Sequence, residues 1–203
     1  MRIIWFTAMS MDARLATGGQ DLAFLDRIRG QGEGLAEFAG FLASVDATLL
    51  GATTLRWLLA AGHGWPHGDK PTWLLSHDPR LVERVGQTAQ PFRRHAGDVA
   101  PVLEALAASG ARRVWLAGGG NLAGQLLALD RIDEVQLTVA PVPLGEGPSL
   151  FGQEPLPLRT FEVAECRIVA GNAIRIRWVR DRSASGDRGD ACAPPAGQGQ
   201  GPM

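Results

Sequence analysis

The chain has 203 residues, 45% hydrophobic and 20% charged, with a formal net charge of -1. That composition suits one globular domain with a sizeable core and gives no electrostatic case for a nucleic-acid or anionic-membrane partner. No run approaches the roughly 20 apolar residues of a membrane span, and the start, MRIIWFTAMSMD, reads as a first strand rather than a secretion signal. In chain order the pattern predicts a strand at 2–8, helices at 21–30 and 34–44, a strand at 45–51, a helix at 53–61 and a strand at 72–76. A helix at 99–109 follows, then a strand at 113–117, a helix at 121–129 and strands at 134–142, 160–169 and 173–180.

Punctuation supports this order. Asp98 is placed as an N-cap with Pro101 in the first turn, Gly110 as the glycine beyond the helix end, and Asn121 as the cap of the next helix. Strands alternating with helices predict a mainly parallel sheet covered on both faces. Only Ala170-Gly171-Asn172 separates the last two strands, so the sheet should end in an antiparallel hairpin. The domain runs from 1 to 182. The tail from Ser183 to Met203 is rich in Gly, Pro and Ser and is expected to be disordered. Two cysteines, Cys166 and Cys192, make neither a disulfide framework nor a metal box and fit a reducing cytoplasm.

The segment most suggestive of a ligand is RVWLAGGGNLAGQLL, residues 113–127. A strand, three glycines and a helix start together form an anion site, because unpaired N–H groups and the helix dipole converge there. The competing reading is a tight turn in which glycine serves only the backbone. No Gly-Lys-Ser/Thr follows, which excludes a triphosphate loop, and the G-x-G-x-x-A match at 118–123 lacks the later acidic residue of a Rossmann site.

Five segments in order then resemble the dihydrofolate reductase-like superfamily, in the branch that contains the reductase domain of riboflavin biosynthesis. They are Ala8-Met-Ser-Met-Asp-Ala-Arg-Leu-Ala16, Val45-Asp-Ala-Thr-Leu-Leu-Gly-Ala-Thr-Thr54, Trp73-Leu-Leu-Ser76, Val114-Trp-Leu-Ala-Gly-Gly-Gly120, and the stretch from Ile132 to Gly147. The resemblance implies an NADPH-dependent reductase that passes hydride to a small pterin- or pyrimidine-like heterocycle, and a homodimer, which the apolar C-terminal strands also suit. It places Gly118, Gly119, Gly120, Asn121 and the helix start at Leu122 on the pyrophosphate. Gly51, Thr53 and Thr54 form a second helix N-terminus near phosphate or ribose. Ser76 and His77 face the adenosine 2′-phosphate, and Ala8, Leu15 and Ala16 line the nicotinamide pocket.

There are departures from the pattern. Ala52 replaces a basic residue, His77 stands where arginine is common with Arg80 three residues on, and Ala117 replaces a substrate-binding glutamate. A histidine gives up arginine's permanent charge. Two other readings therefore stand beside the first: the ribosylaminopyrimidine reductase itself, and a nucleotide-binding protein without catalysis.

Reduction of a C=N bond also needs a proton. Asp21, in Gln20-Asp-Leu-Ala-Phe, is the candidate acid: helical spacing sets it on the face of Phe24, Leu25 and Ile28, where desolvation raises a carboxyl pKa. The same residue type also makes a helix cap, so both roles stand. Asp12 is a candidate substrate contact or a turn residue, and Trp65 with Pro66 a candidate lip of the substrate cleft. His63 and His67 flank that lip in a glycine-rich loop without further ligands, so no metal is expected. Trp5, Trp73, Trp115 and Trp178 fall in strands and are assigned to core or interface.

Overall fold

A computed structural model describes residues 1–28, 31–62 and 65–183. The tail beyond 183, Cys192 and His63 lie outside the described residues. The strands are β1 (Arg2–Ser10), β2 (Ala47–Gly51), β3 (Thr72–Leu75), β4 (Phe92–His95), β5 (Arg113–Gly118), β6 (Glu134–Ala140), β7 (Phe161–Val169) and β8 (Ala173–Arg180). The helices are α1 (Gln31–Ala43), α2 (Ala52–Ala60), α3 (Arg80–Glu83), α4 (Ala100–Ala108) and α5 (Gly120–Ala128).

One eight-stranded sheet runs in the order β4-β3-β2-β5-β1-β6-β8-β7. Every pairing from β4 to β6 is parallel, and β8 is antiparallel to both β6 and β7. The mixed α/β fold expected from the sequence is therefore present, hairpin included. Ala170 and Gly171 both have positive φ, and the Asn172 amide donates to the Val169 carbonyl, which closes a tight two-residue turn.

Alternation along β1 explains the two cores. Ile3 and Trp5 face one side, where α4 and α5 pack through Val102, Leu106, Leu122 and Leu126. Ile4 and Phe6 face the other side, with Phe41 of α1, Leu55 of α2 and Leu81 of α3. Trp5 is fully buried, and burying a side chain of that size contributes on the order of 2–3 kcal/mol.

Several expected boundaries are corrected. The helix foreseen at 21–30 is a single 3-10 turn, Ala23–Arg27. The cap of α4 is Val99 rather than Asp98, and α5 is capped at Gly119, with Asn121 already inside the helix. Asn121 instead accepts a hydrogen bond from the Gln125 amide at 2.8 Å. Gly110 does end α4: with φ +82° it lets its own amide reach Ala107 and the Ala111 amide reach Leu106, a Schellman closure. β4 and α3 were not foreseen. β4 is a short edge strand reading FRRH, and charge on an edge hides the apolar alternation that marks an inner strand.

Candidate active site

The cleft lies where chemistry on a parallel sheet belongs, outside the carboxyl ends of the strands. Leu50 at the end of β2 pairs with Gly118 at the end of β5, so the turns leading into α2 and α5 sit side by side. A Cβ added at Gly51 would come within 3.6 Å of both the Gly118 carbonyl oxygen and the Gly119 amide. Thr54 reaches over the glycine turn, its Oγ1 being 3.1 Å from where a Gly118 Cβ would stand. Neither helix has a side-chain cap, since Gly51 and Gly119 occupy the cap positions. The first amides of both helices are thus left to whatever enters the cleft.

The three glycines divide the work. Gly118 has φ +125°, a conformation side-chain-bearing residues rarely adopt, and its peptide bond to Gly119 is cis. Gly119 is extended, and an added Cβ would meet only Thr54 Oγ1 at 3.7 Å, so the space beside it is open to a ligand. Gly120 serves packing as well. Its Cβ would stand 2.8 Å from the Leu150 carbonyl oxygen and closer still to that of Ser149. Packing therefore requires glycine at this position, and Gly120 also lines the cleft.

The cavity measures about 1140 Å³. Every residue assigned to the cofactor lines it: Ala8, Leu15, Ala16, Gly51, Thr53, Thr54, Ser76, His77, Gly118, Gly119, Gly120, Asn121 and Leu122. Its end at β1 is mainly apolar, with Trp5, Ala8, Leu15, Leu22 and Leu25 around the polar groups of Thr7 and Gln20. Its end at β3 is polar, with Ser76, His77 and Asp78. Sequence reasoning missed Arg56 and Trp57, which line the cleft with Thr53. The spacing of 53, 56 and 57 puts all three on one helical face, and that was the available signal.

The residues assigned to the proton and the substrate lie elsewhere. Asp21 is exposed and does not line this cavity. Its Oδ1 accepts a 2.6 Å hydrogen bond from the Ala23 amide, so it shapes the entry to the 3-10 turn, and Phe24 is the residue buried there. The burial that the acid role required is absent. Asp12 is a clamp between loops: it accepts from the Ser10 hydroxyl at 2.5 Å, the Leu144 amide at 3.0 Å and the Gly145 amide at 2.7 Å. Those donors, the Ser10 hydroxyl first, hold its carboxyl at about 2, well below the usual range. Trp65 is no lip. It is 7% exposed, donates to Thr72 Oγ1 and stacks 6.4 Å from the Trp115 ring. His67 packs edge-on against both rings, and burial lowers its pKa.

The loop at 142–152 joins the site together. Met11 donates to the Val142 carbonyl and Leu15 to that of Pro148, while Leu150 donates back to Ala13. Arg14 reaches the Gly147 carbonyl at 3.2 Å. The far end of the same loop seats Gly120 and Gly124 against the carbonyls of Ser149, Leu150 and Phe151. The loop after β1 and the glycine turn after β5 are therefore held in one arrangement by a third loop.

A parallel sheet whose carboxyl edge carries two uncapped helix N-termini beside an apolar pocket is the arrangement of the dihydrofolate reductase-like class. Residues 60–173 match the RibD C-terminal domain family, more than half of the chain, and the chain belongs to that family. It is 26% identical over 184 residues to the uncharacterized protein YwjB of Bacillus subtilis, covering 88% of this chain and 98% of that one. Among solved structures it is similar to a putative riboflavin biosynthesis protein from Shewanella sp. PV-4, at 26% identity and a TM-score of 0.78 over 90% of this chain and all of the other. The bifunctional deaminase/reductase of Thermotoga maritima shares the fold, at 17% identity and a TM-score of 0.64 over 89% of this chain and 56% of that protein.

Proposed function

We propose that the chain reduces a small pterin- or pyrimidine-like heterocycle with hydride from NADPH. The observation that carries this reading is the meeting of two uncapped helix N-termini over the open face of Gly119, one strand away from a mainly apolar pocket. Gly118, Gly119 and Asn121 would hold the pyrophosphate with the α5 amides, and Thr53 and Thr54 would add hydroxyls from α2. Bound in this way, the nicotinamide would supply the hydride at the β1 end. There Ala8, Leu15 and Ala16 exclude water, and Thr7 and Gln20 can orient a heterocycle through its ring nitrogens or carbonyls. The carboxylates among the described lining residues are Asp78 and Glu154. With Asp21 outside the cavity, a bound water is the proton source this geometry supports best.

A more specific reading is the reduction of the phosphoribosylamino-pyrimidine of riboflavin biosynthesis. The Thermotoga relative, a 5-amino-6-(5-phosphoribosylamino)uracil reductase, supports it, and Ala117 in place of a glutamate counts against it. Titration with NADPH followed by turnover of that pyrimidine and of a pterin panel tests both. NADPH oxidation with neither substrate class would leave nucleotide binding without the proposed reaction.

The apolar face of the β7–β8 hairpin supports a homodimer. Register puts Ile168 opposite Ile174, Cys166 opposite Ile176 and Val163 opposite Trp178. Val163 is 62% and Ile168 74% exposed. Sedimentation of the wild type should show a dimer, and Val163→Lys with Ile168→Lys a monomer. Among the described residues no helix is long and apolar enough to cross a membrane.

A further inference from the structure

Among the residues that line the cleft, Gln20 has a backbone its side chain does not favour. Its φ is +62°, in the left-handed region where glycine is the ordinary occupant, although the two glycines just before it, Gly18 and Gly19, do not take such a φ. The turn that imposes this is closed on several sides. The Gln20 amide donates to the Thr17 carbonyl at 2.8 Å, the Asp21 amide to Thr17 Oγ1 at 3.0 Å, and the Thr17 amide to the Asp21 carbonyl at 3.0 Å. The Glu146 carboxylate backs the turn, 2.6 Å from where a Gly18 Cβ would stand. Surroundings that hold a side-chain-bearing residue in a costly conformation point to a use for that side chain.

The side chain is placed on the cleft. Gln20 is exposed, lines the apolar end with Thr7, and also borders the shallower groove between the first loop and α2. It therefore stands on the rim where the cleft opens. Among the described residues its carboxamide has no hydrogen-bond partner, whereas the amide of Gln125, which also lines the cleft, donates to Asn121 at 2.8 Å. The charged groups on the same rim are engaged, Arg56 with Asp78 at 3.5 Å and Asp21 with the Ala23 amide at 2.6 Å. A carboxamide offers a donor beside an acceptor and carries no charge. It complements a ring edge with an acceptor beside a donor, such as a lactam or an amino group next to a ring nitrogen. A carboxylate in the same place would offer acceptors alone and would favour a protonated ring.

We infer that Gln20 sets substrate specificity by pairing its carboxamide with the donor–acceptor edge of a heterocycle bound in its neutral form. This rests on the reductase reading above and adds to it the ring edge that the site selects. The test uses the NADPH complex and two probes, with affinities read by calorimetry. One is 6-aminouracil, which stays neutral at neutral pH, and the other is 2,4,6-triaminopyrimidine, which readily takes a proton on a ring nitrogen. Gln20→Glu should shift the affinity ratio toward the triaminopyrimidine by at least about tenfold. Gln20→Gly should weaken aminouracil binding at least about fivefold, yet Tm should stay within about 3 °C of wild type or rise, because glycine relieves the left-handed backbone. A glutamine that served only the turn would move neither the ratio nor the affinity. An unchanged ratio in Gln20→Glu, an unchanged affinity in Gln20→Gly, or a wild-type complex that binds neither probe would overturn the role of Gln20. NADPH binding by the same proteins would leave the reductase reading standing in each of those cases. If the wild type does not bind NADPH, both fall together.

Discussion

The loop after β1 and the turn after β5 both border the cleft, yet they are held in opposite ways. The glycine turn is fixed by what its residues lack: Gly118 takes a backbone conformation closed to side chains, and Gly120 admits the carbonyls of Ser149 and Leu150. The first loop is fixed by what its residues carry, the Asp12 carboxylate on two amides and the Arg14 guanidinium on a carbonyl. A requirement for glycine is written in the sequence as glycine. A carboxylate can be a catalyst, a cap or a clamp, and only its partners decide which.

The contrast is most sharply broken within the glycine turn itself. Gly120→Ala should destabilise the fold by about 2–3 kcal/mol, roughly 6–10 °C in Tm, because the new methyl meets backbone that cannot yield cheaply. Gly119→Ala meets only Thr54 Oγ1 at 3.7 Å, so Tm should move by no more than about 3 °C while NADPH affinity falls at least about tenfold. Thermal melts and nucleotide titrations on the two variants separate the glycine that packs from the glycine that binds. Equal losses of stability in both would refute the division.

This division also shows what could be read from sequence. The strand and helix order, the hairpin and the glycine turn follow from periodicity, punctuation and glycine, all of which act locally, whereas the other lining residues assigned to the cofactor were implied by the family resemblance. The substrate roles given to Asp12 and Trp65 did not hold because their partners lie outside that local logic. The donors to Asp12 at Leu144 and Gly145 are more than 130 residues away. Trp65 is drawn into the core by Thr72 and Trp115, a packing that a glycine-rich loop does not announce. Asp21 failed for a different reason. The apolar spacing around it was genuine, but a single 3-10 turn buries Phe24 and leaves the aspartate in solvent.

The clamp on the first loop has a pH signature. The folded state holds Asp12 at about 2, against an ordinary value of 3.8, so its contribution is complete above the ordinary value and is lost as pH falls through the folded one. Asp12→Asn removes that linkage. The Tm difference between wild type and variant should stay constant above about pH 5 and shrink between about pH 4 and 2. A difference that does not change over that interval would mean that the carboxylate does not hold the loop as a charged group.

The smallest effect is expected at Asp21, where a null result carries the information. Asn can accept the Ala23 amide as Asp does, so Asp21→Asn should leave Tm unchanged. Because the carboxyl stands in solvent outside the cavity, the pH profile of turnover should also be unaltered. Removing a true general acid would lower kcat by about a hundredfold or more, with the loss greatest where the wild-type acid is protonated. A drop of that size would show that the first loop moves inward during turnover and would return Asp21 to the chemistry. An unchanged profile would leave bound water as the proton source and confine this loop's role to shaping the pocket.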